Sequence, residues 1–346
     1  MSHLLKRKGT RGGRMERTKL LIIGAGIAGT MASNYFASQH PIVIDKREKS
    51  EQCAHRAIMR FRDPVVGLLL RARLNRITVT KSIYMDGKHH DKPDIYMANR
   101  YSLKVSDGIY ERSINNIEPA DRYLMSDPGF PSPDNIKGGY RLELLTPDRV
   151  AKFISSNGYP IDIPYQECIS TIPMNEIVGA CPDGDLQQNI GDMFFAEKYD
   201  SIYVTTLTMH KLKSNINHTV YFPGNDTTAY RATLEGNKLI IESMDSYLEE
   251  EQIILIMKDV FGIGIEYYAP QYVSMAIQAY GKISPIDDDI RKGIIRELSS
   301  KYSVYSLGRY ATWRNITSDS IINDLDVISR LMPMGKQSLD YQMSLL

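Results

Sequence analysis

The chain has 346 residues, of which 42% are hydrophobic, and its 42 basic and 41 acidic side chains leave a net charge of +1. This length and apolar content suffice for one large or two medium domains with a real core. The balanced charge excludes an overall field that would attract nucleic acid or acidic partners. Three cysteines without a C-x-x-C pair exclude a disulfide scaffold or a zinc knuckle and are typical of a reducing compartment. No apolar run has the length of a membrane span, and the N-terminus lacks the pattern of a signal peptide. We therefore expect a cytoplasmic protein that does not enter a membrane.

The first 19 residues carry seven Lys or Arg side chains and three glycines, with little apolar content beyond Leu4 and Leu5. Such a segment cannot bury enough surface to fold, so we expect a disordered basic arm. The favoured interpretation is a solubilising tail or an upstream extension, with Met15 as an alternative start. Contact of the arm with nucleic acid is the other interpretation.

A glycine-rich motif follows, with the sequence LLIIGAGIAG at residues 20–29 and IVID at residues 42–45. Gly24 allows a tight turn after the strand, Gly26 lets the backbone approach a pyrophosphate, and Gly29 lets the helix pack closely on the sheet. The helix N-terminus then presents free N–H groups to the phosphate charge. Asp45 stands about 20 residues after the first glycine, where a carboxylate accepts hydrogen bonds from ribose hydroxyls. The pattern predicts a βαβ unit that binds a dinucleotide through Gly24, Gly26, Ile27, Ala28, Gly29, Asp45 and Lys46.

The next stretch has few periodic elements. Residues 46–62 are dense in charge and end at Asp63-Pro64. Residues 77–84 alternate as in a strand, and Asp86-Gly87 predicts a turn. Residues 91–139 are rich in Tyr, Asn, Asp and Pro and contain only short periodic pieces, which is typical of an inserted region folded around a ligand.

In the second half of the chain, Thr146-Pro147-Asp148 predicts a helix start, with the helix running through residue 154. Residues 165–173 predict a short strand. The pattern from 201 to 241 is β, with a hairpin turn at Gly236-Asn237. The remaining predicted elements are a helix over 247–261, a helix over 287–301, a strand over 302–307 and a helix that begins near 318.

The opening motif serves NAD and FAD alike, and the late strand discriminates between them. Residues 304–309 read VYSLGR, a strand that ends in Gly308 and precedes a helix start. A late return to the first sheet places a second helix N-terminus at the cofactor, as a long flavin dinucleotide requires. A nicotinamide domain instead gains its second half from new βαβ units, which this sequence lacks. The sequence therefore predicts FAD as the cofactor.

Four pieces of the sequence occur in one order: IIGAGIAG at 22–29 with Asp45, ISTIP at 169–173, YRATLE at 230–235, and Gly308-Arg309 with Trp313-Arg314 and Asp319. Together they resemble the flavoproteins related to UDP-galactopyranose mutase, protoporphyrinogen oxidase and the amine oxidases. The resemblance implies an α/β fold in which a Rossmann-type, doubly wound FAD-binding domain is built from separated segments and a β-sheet-rich substrate domain is inserted between them. The expected FAD-binding segments are 20–63, 140–198 and 295–346, the substrate domain is 64–139 and 199–294, and residues 1–19 are the arm.

The sequence also departs from this group. The mutases usually carry a second Gly-Gly pair shortly after the ribose acid, whereas this chain reads CAHRA at residues 53–57. Backbone approach to the flavin must differ there, and we expect His55 to replace the glycine pair. The mutases' own active-site segment between the domains is not recognisable, so the resemblance implies FAD binding more than mutase activity.

Five residues at the late helix start are predicted to contact the cofactor: Gly308, Arg309, Asp319, Ser320 and Ile321. A fixed positive charge on Arg309 stabilises an anionic reduced flavin, and a salt bridge is the alternative role. The Asp319 carboxylate caps the last helix or bonds the ribityl chain, and these roles are compatible. The single tryptophan, Trp313, is expected in the core.

The predicted catalytic residues are His55, Arg60 and Arg231. His55 lies where the chain passes the flavin and is suited to acid/base work near neutral pH, and a hydrogen bond to local backbone is the alternative. Arg60 and Arg62 flank Phe61, which suits a phosphate or carboxylate clamp, or else a solvated basic face.

The resemblance implies that Arg231 holds an anionic group of the substrate, whereas an ion pair with Glu242 across the hairpin is the alternative. The adjacent pair His89-His90 can rarely face one metal ion with both rings, so we predict no metal site.

The leading hypothesis is an FAD-dependent oxidoreductase that acts on a small polar substrate, anionic or amine-bearing, by hydride transfer to flavin N5. A non-redox flavoenzyme of the mutase kind is the second. The third is a flavoenzyme that acts on a modified DNA base, as in phage thymine hypermodification, and the fourth is a nucleotide-binding protein without catalysis. The sequence does not predict an oligomeric state.

Overall fold

The computed structural model describes residues 17–48, 59–106, 114, 116–125, 133, 135–182, 186 and 199–332. These residues form a mixed α/β fold with two large sheets and seven α-helices. The strands are β1 (Thr18–Ile23), β2 (Ile42–Ile44), β3 (Arg60–Phe61), β4 (Leu74–Met85), β5 (Lys88–His90), β6 (Ala120–Met125), β7 (Ile136–Lys137), β8 (Tyr140–Thr146), β9 (Val150–Ser155), β10 (Pro160–Ser170), β11 (Tyr199–Thr208), β12 (Asn217–Tyr221), β13 (Ala229–Glu235), β14 (Lys238–Ser243), β15 (Val273–Ile283) and β16 (Val304–Ser306). The helices are α1 (Ile27–Tyr35), α2 (Val65–Leu70), α3 (Ile95–Val105), α4 (Met174–Gly179), α5 (Glu250–Leu255), α6 (Asp288–Tyr302) and α7 (Ser320–Leu331).

The first sheet is parallel at its centre, where β7, β2, β1, β10 and β16 lie side by side. Leu20 and Ile22 of β1 face one core, which contains α1 and α7, while Leu21 and Ile23 face a second core, which contains α4 and α6. Both faces of the sheet are therefore covered, and this explains why β1 is a continuous apolar run rather than an alternating one.

Strand β10 belongs to two arrangements along its length. Its second half pairs in parallel with β1 and β16, whereas its first half continues antiparallel into β9, which in turn pairs with β8. The long strand carries the chain from an antiparallel meander into the parallel sheet.

The helix predicted over residues 146–154 is wrong, because this segment is the β8–β9 hairpin. Thr146 pairs with Val150, and the Thr146 hydroxyl accepts the Val150 N–H at 3.2 Å. Arg149 has φ +63° in the turn, so Pro147 serves a hairpin rather than a helix start. The stretch that follows buries Ala151 and Phe153 with period two, which is strand periodicity.

The second sheet has nine strands in the order β15-β11-β14-β13-β12-β4-β6-β3, with β5 paired to β4. Its pairs are antiparallel except β12 with β4. The predicted strand over 77–84 is confirmed within β4, and both predicted turns are confirmed: Asp86-Gly87 joins β4 to β5, and Gly236-Asn237 joins β13 to β14. Helix α5 packs on one face of this sheet, and α3 packs on the other.

The predicted helices over 247–261 and 287–301 and near 318 are confirmed as α5, α6 and α7. Helix α5 continues as a π-helical turn over Ile256–Val260. Asp287 caps α6 by accepting the N–H groups of Asp289 and Ile290 at 2.9 and 3.0 Å. Helix α3 was not predicted, because its apolar face is short and lies within a polar, tyrosine-rich stretch.

The domain boundaries stay a prediction, and two strands lie across them. Strand β3 pairs with β6 in the second sheet, while β7 pairs with β2 in the first. Among the helices of the described ranges, none combines the length and the apolar character that a bilayer crossing needs.

Candidate functional site

Three strand ends meet at the carboxyl edge of the first sheet. The Thr171 N–H donates to Ile23 O at 2.8 Å, and its hydroxyl donates to Gly24 O at 3.2 Å. The Leu307 N–H donates to Ser170 O at 2.9 Å, so the end of β16 is tied to the end of β10. The loops after β1, β10 and β16 therefore form one surface, which is where open α/β sheets bind their ligands.

The glycines of this surface have different physical roles. A Cβ on Gly24, which has φ +98°, would lie 2.4 Å from Thr171 Oγ1, and a Cβ on Gly29 would lie 1.9 Å from Gly24 O. Gly308 has φ +86°, and its missing Cβ leaves room for Ala28 at the start of α1. These three glycines are required by the packing of the chain itself.

Gly26 is different, because a Cβ there would meet no other atom of the described residues within 4 Å. It precedes α1 with φ −70° and ψ −165°, and no side chain caps the helix at this position. Ile27 and Ala28 form the first turn, so the free N–H groups of α1 begin beside this open space. The space at Gly26 is a cradle that a ligand group can enter and that any side chain would narrow.

Asp45 lies beside the same loop and is 5% exposed. Its carboxylate accepts the Ala25 N–H at 2.6 Å and the Arg47 N–H at 2.8 Å, and the Arg47 guanidinium donates to it at 3.1 and 3.2 Å. Burial raises the pKa of Asp45, but Arg47 and the two N–H groups outweigh burial and hold this pKa below its ordinary value. The adjacent Lys46 forms an ion pair with Glu176 of α4 at 2.9 Å.

A cavity of about 1400 Å³ lies between the α3 face of the second sheet and the loop that follows β16. Its described lining contains nine Arg or Lys side chains and only two carboxylates, Asp288 and Asp319. Of the predicted site residues, Arg60, Arg231, Arg309, Asp319 and Ser320 line it. The glycines of the β1–α1 loop do not, so the predicted site divides between the sheet edge and the cavity. His55 lies outside the described residues.

Arg60 is buried at the cavity wall, with a side chain that is 10% exposed. It donates from Nη1 to Thr219 Oγ1 at 2.8 Å, and its Nη2 lies 3.6 Å from Glu235 Oε2. Its Nε has no hydrogen-bond partner among the described residues. Burial lowers the pKa of Arg60 to about 10, against the opposing effect of Glu235. The guanidinium is thus held in place with donor capacity left over.

Arg231 pairs with the buried Glu242 across the β13–β14 hairpin, which is the alternative that the sequence left open. Both carboxylate oxygens accept from its guanidinium, one of them at 2.6 Å from Nη2. Burial lowers the pKa of Arg231, but the charge of Glu242 outweighs burial and raises it above its usual range. The charge of Arg231 is therefore largely neutralised. Its predicted catalytic role stays a prediction.

The loop after β16 brings Arg309 to the cavity. The Nε of this arginine is buried without a partner among the described residues, and its guanidinium carbon lies 5.8 Å from the centre of the Tyr310 ring. Trp313 is buried, as predicted, and its Nε1 donates to Ser284 O at 3.0 Å. An arginine with an unused buried donor beside the Gly308 turn is available to a ligand at this edge.

Asp319 precedes α7 but does not cap it with its side chain. Its Oδ1 instead accepts the N–H groups of Arg62 and Asp63 at 2.9 and 2.8 Å, which ties the end of β3 to the start of α7. Ser320 lines the cavity, whereas the Ile321 side chain is buried in the core. Ile321 is therefore available to a cofactor only through its backbone.

The rings of His89 and His90 make separate hydrogen bonds within the protein. His89 uses both ring nitrogens within the protein, at 3.1 Å from Ser82 Oγ and 2.9 Å from Val260 O. Within the described ranges no group of three or more His, Cys, Asp or Glu side chains could hold an ion.

Sequence reasoning missed four cations of the cavity: Lys81, Arg122, Lys282 and Arg291. Lys81 stands in the alternating strand over 77–84 at the parity of the apolar Val79 and Ile83, so a cation on the inward face could have been inferred. Arg122 lies in a stretch without periodicity and gave no signal.

No protein-family model and no curated protein matches the sequence. Among solved structures, the fold is similar to that of reduced UDP-galactopyranose mutase, with a TM-score of 0.63 and 15% identity over 93% of this chain and 97% of that one. It is also similar to the PF1083 protein from Pyrococcus furiosus, with a TM-score of 0.52 and 11% identity over 92% of this chain and 98% of that one. At such identities the likeness shows the fold alone.

Proposed function

We propose that this protein is an FAD-dependent enzyme, an oxidoreductase that acts on a small anionic or amine-bearing substrate. The observation that carries the proposal is the open cradle at Gly26, where the N-terminus of α1 and the Gly308 turn meet at one sheet edge. The likeness to the fold of UDP-galactopyranose mutase supports a flavoenzyme. The helices on both faces of the central parallel strands support the doubly wound FAD-binding arrangement.

The residues present fit this cofactor. The Gly24–Gly29 loop and the first N–H groups of α1 would hold the pyrophosphate, and Asp45 would face the ribose. Arg309 has an unused buried donor at the end of β16, which suits the flavin half. When bound, FAD would supply a two-electron acceptor at N5 of its ring system.

The residues of the cavity would bind and orient the substrate. The excess of cations over carboxylates favours an anionic group, and Arg60 is positioned for it by Thr219 and Glu235. Helix α3 and the loop after β16 enclose this space and reduce its access to water, which strengthens charge interactions inside.

A non-redox reaction of the mutase kind is the second candidate. It is favoured by the likeness to the reduced mutase, which covers 93% of this chain. The two candidates differ in one observable: a mutase-type enzyme turns over only after the flavin is reduced and forms no net oxidised product, whereas an oxidoreductase consumes oxidant with each turnover.

The first experiment is the visible absorption spectrum of the purified protein, followed by heat release and identification of the chromophore. We expect a flavin spectrum and released FAD. Colourless protein that cannot be reconstituted with FAD would refute the proposal.

A further inference from the structure

Three cations from neighbouring strands lie together on the cavity wall: Arg62 at the end of β3, Lys81 in β4 and Arg122 in β6. We call them the mouth cluster, because Arg62 is exposed whereas Lys81 and Arg122 are half-buried. Of its members, only Arg62 was singled out by the sequence, as one arm of a clamp around Phe61, and the group lies apart from the β1–α1 glycine loop.

Strand pairing places the mouth cluster on one face of the second sheet. Arg122 lies opposite Ile77, and alternation along β4 brings Lys81 to the same face. Arg60 lies opposite Leu124, so the antiparallel register carries Arg62 towards Arg122. Thr219 of β12 is paired with Lys81 on the other side. The cluster therefore continues directly into the part of the wall that holds Arg60.

The charges of the mouth cluster are not neutralised by the described residues. Lys81 Nζ donates to Asn116 O at 3.0 Å, and Arg122 Nη1 donates to Asp121 O at 2.6 Å, so both use neutral carbonyl acceptors. Within the described part of the chain, neither these two nor Arg62 has a carboxylate within 4.0 Å of its charged nitrogens.

Deeper in the cavity, two arginines do have carboxylates beside them. Arg231 is paired with Glu242, and Arg60 lies near Glu235. The carboxylates whose charges act on Arg122 are Asp319 and Asp121. Asp319 Oδ1 already accepts two backbone N–H groups, and the Asp121 carboxylate accepts from Arg76 and Thr78.

The members of the mouth cluster repel one another, and burial adds to the cost of their charges. Burial lowers the pKa of Lys81, and the charges of Arg122 and Arg62 lower it further. Burial and the charge of Arg62 likewise lower the pKa of Arg122. Like charges placed opposite each other on a sheet destabilise it. An anion with several oxygens would remove this repulsion and use the free donors of both arginines.

We propose that the mouth cluster binds a phosphate group of the substrate, so that the phosphate is held at the entrance and the reacting part lies deeper, beside Arg60 and Arg309. This assignment rests on the proposed function in taking the cavity as the substrate site. It places the main anion contact on Arg62, Lys81 and Arg122 instead of on Arg231, to which the sequence resemblance had pointed. The pyrophosphate of FAD is not the ligand meant here, because none of the β1–α1 loop glycines lines the cavity.

The test is a calorimetric titration of inorganic pyrophosphate into protein saturated with FAD, which keeps the glycine loop occupied. The variants are Lys81→Met and Arg122→Gln, and the matched controls are Lys152→Met and Arg73→Gln, which change exposed residues outside the cavity. We expect each cavity variant to weaken binding about tenfold, because a charge-assisted hydrogen bond contributes on the order of a factor of ten. The controls should leave the dissociation constant unchanged. Equal affinities in all five proteins would overturn the proposal, as would no binding to the wild type.

A second titrant identifies the source of the phosphate. This titrant is an oligothymidylate of eight nucleotides. If its binding depends on Lys81 and Arg122 as that of pyrophosphate does, and weakens more steeply with salt than pyrophosphate binding, the phosphate belongs to a polymer. Binding of pyrophosphate alone would identify a small molecule. Melting temperatures of the variants establish that each one is folded.

Failure of the phosphate assignment can be told apart from failure of the flavin proposal. Protein that binds no FAD but still binds pyrophosphate through Lys81 and Arg122 would refute the proposed function and support the phosphate site. Yellow, FAD-loaded protein whose pyrophosphate affinity is unchanged by both substitutions would support the flavin proposal and refute the phosphate site.

Discussion

Gly26→Ala is expected to separate cofactor binding from folding. The added Cβ meets no other atom of the described part of the chain within 4 Å, and the backbone angles of φ −70° and ψ −165° are open to alanine. The substitution should therefore leave the free energy of unfolding within about 1 kcal/mol of wild type. A phosphate in the cradle would be displaced from the N–H groups of α1, and the loss of one or two such charge-assisted bonds, at about 1.5–3 kcal/mol each, weakens FAD binding roughly 10- to 100-fold or more.

The assay measures FAD affinity by fluorescence titration and stability by urea denaturation. The matched control is Gly293→Ala on α6, where a Cβ also meets none of the described residues within 4 Å and no cofactor contact is proposed. The control should keep its FAD affinity and be slightly stabilised by its helix propensity. If Gly26→Ala binds FAD as tightly as the control, the pyrophosphate does not occupy the cradle and the reasoning is refuted.

Three further predictions concern charged groups. The pKa of Asp45 is lowered in the folded state, so its stabilising effect is complete above the ordinary value of 3.8 and is lost as pH falls through the lower folded pKa. In the Asp45→Asn variant, the free energy of unfolding should therefore fall less steeply as pH drops below 3.8, which acid denaturation measures. An unchanged pH dependence would contradict the role given to Arg47. Burial and the nearby His89 lower the pKa of His218 below 6.5, so the unfolded chain binds a proton first and stability falls as pH drops below about 6.5. His218→Gln should reduce this loss in thermal melts between pH 7 and pH 5, and an equal loss in both proteins would argue against it. Arg309→Gln removes a positive charge from the proposed flavin site and should make the flavin harder to reduce, which a redox titration measures; an unchanged potential would place Arg309 away from the ring.

Local sequence was sufficient for the elements whose signals are complete within a few residues. The β1–α1 loop needs its glycines for contacts with Thr171 and with its own carbonyl, so the motif and the geometry agree. The Asp86-Gly87 and Gly236-Asn237 turns and the Asp287 cap are likewise short-range. The exception is Pro147, where a helix-start pattern gave way to a hairpin because the following residues alternate between buried and exposed.

The candidate site depended on contacts between distant segments, which no local pattern encodes. Whether Arg231 meets a substrate or Glu242 is decided by the register of β13 against β14. Asp319 could be placed at a helix start from its sequence, yet its carboxylate holds the backbone of Arg62, 257 residues away.

The sequence by itself thus determined the glycine-rich β1–α1 turn, the late glycine turn and most of the strands, because hydrophobic period and turn chemistry act over a few residues. Only the tertiary structure decided which cations are neutralised and which share a cavity wall. Strand order and register set the distances between charges, and at separations of a few ångströms those distances determine the strength of the interaction.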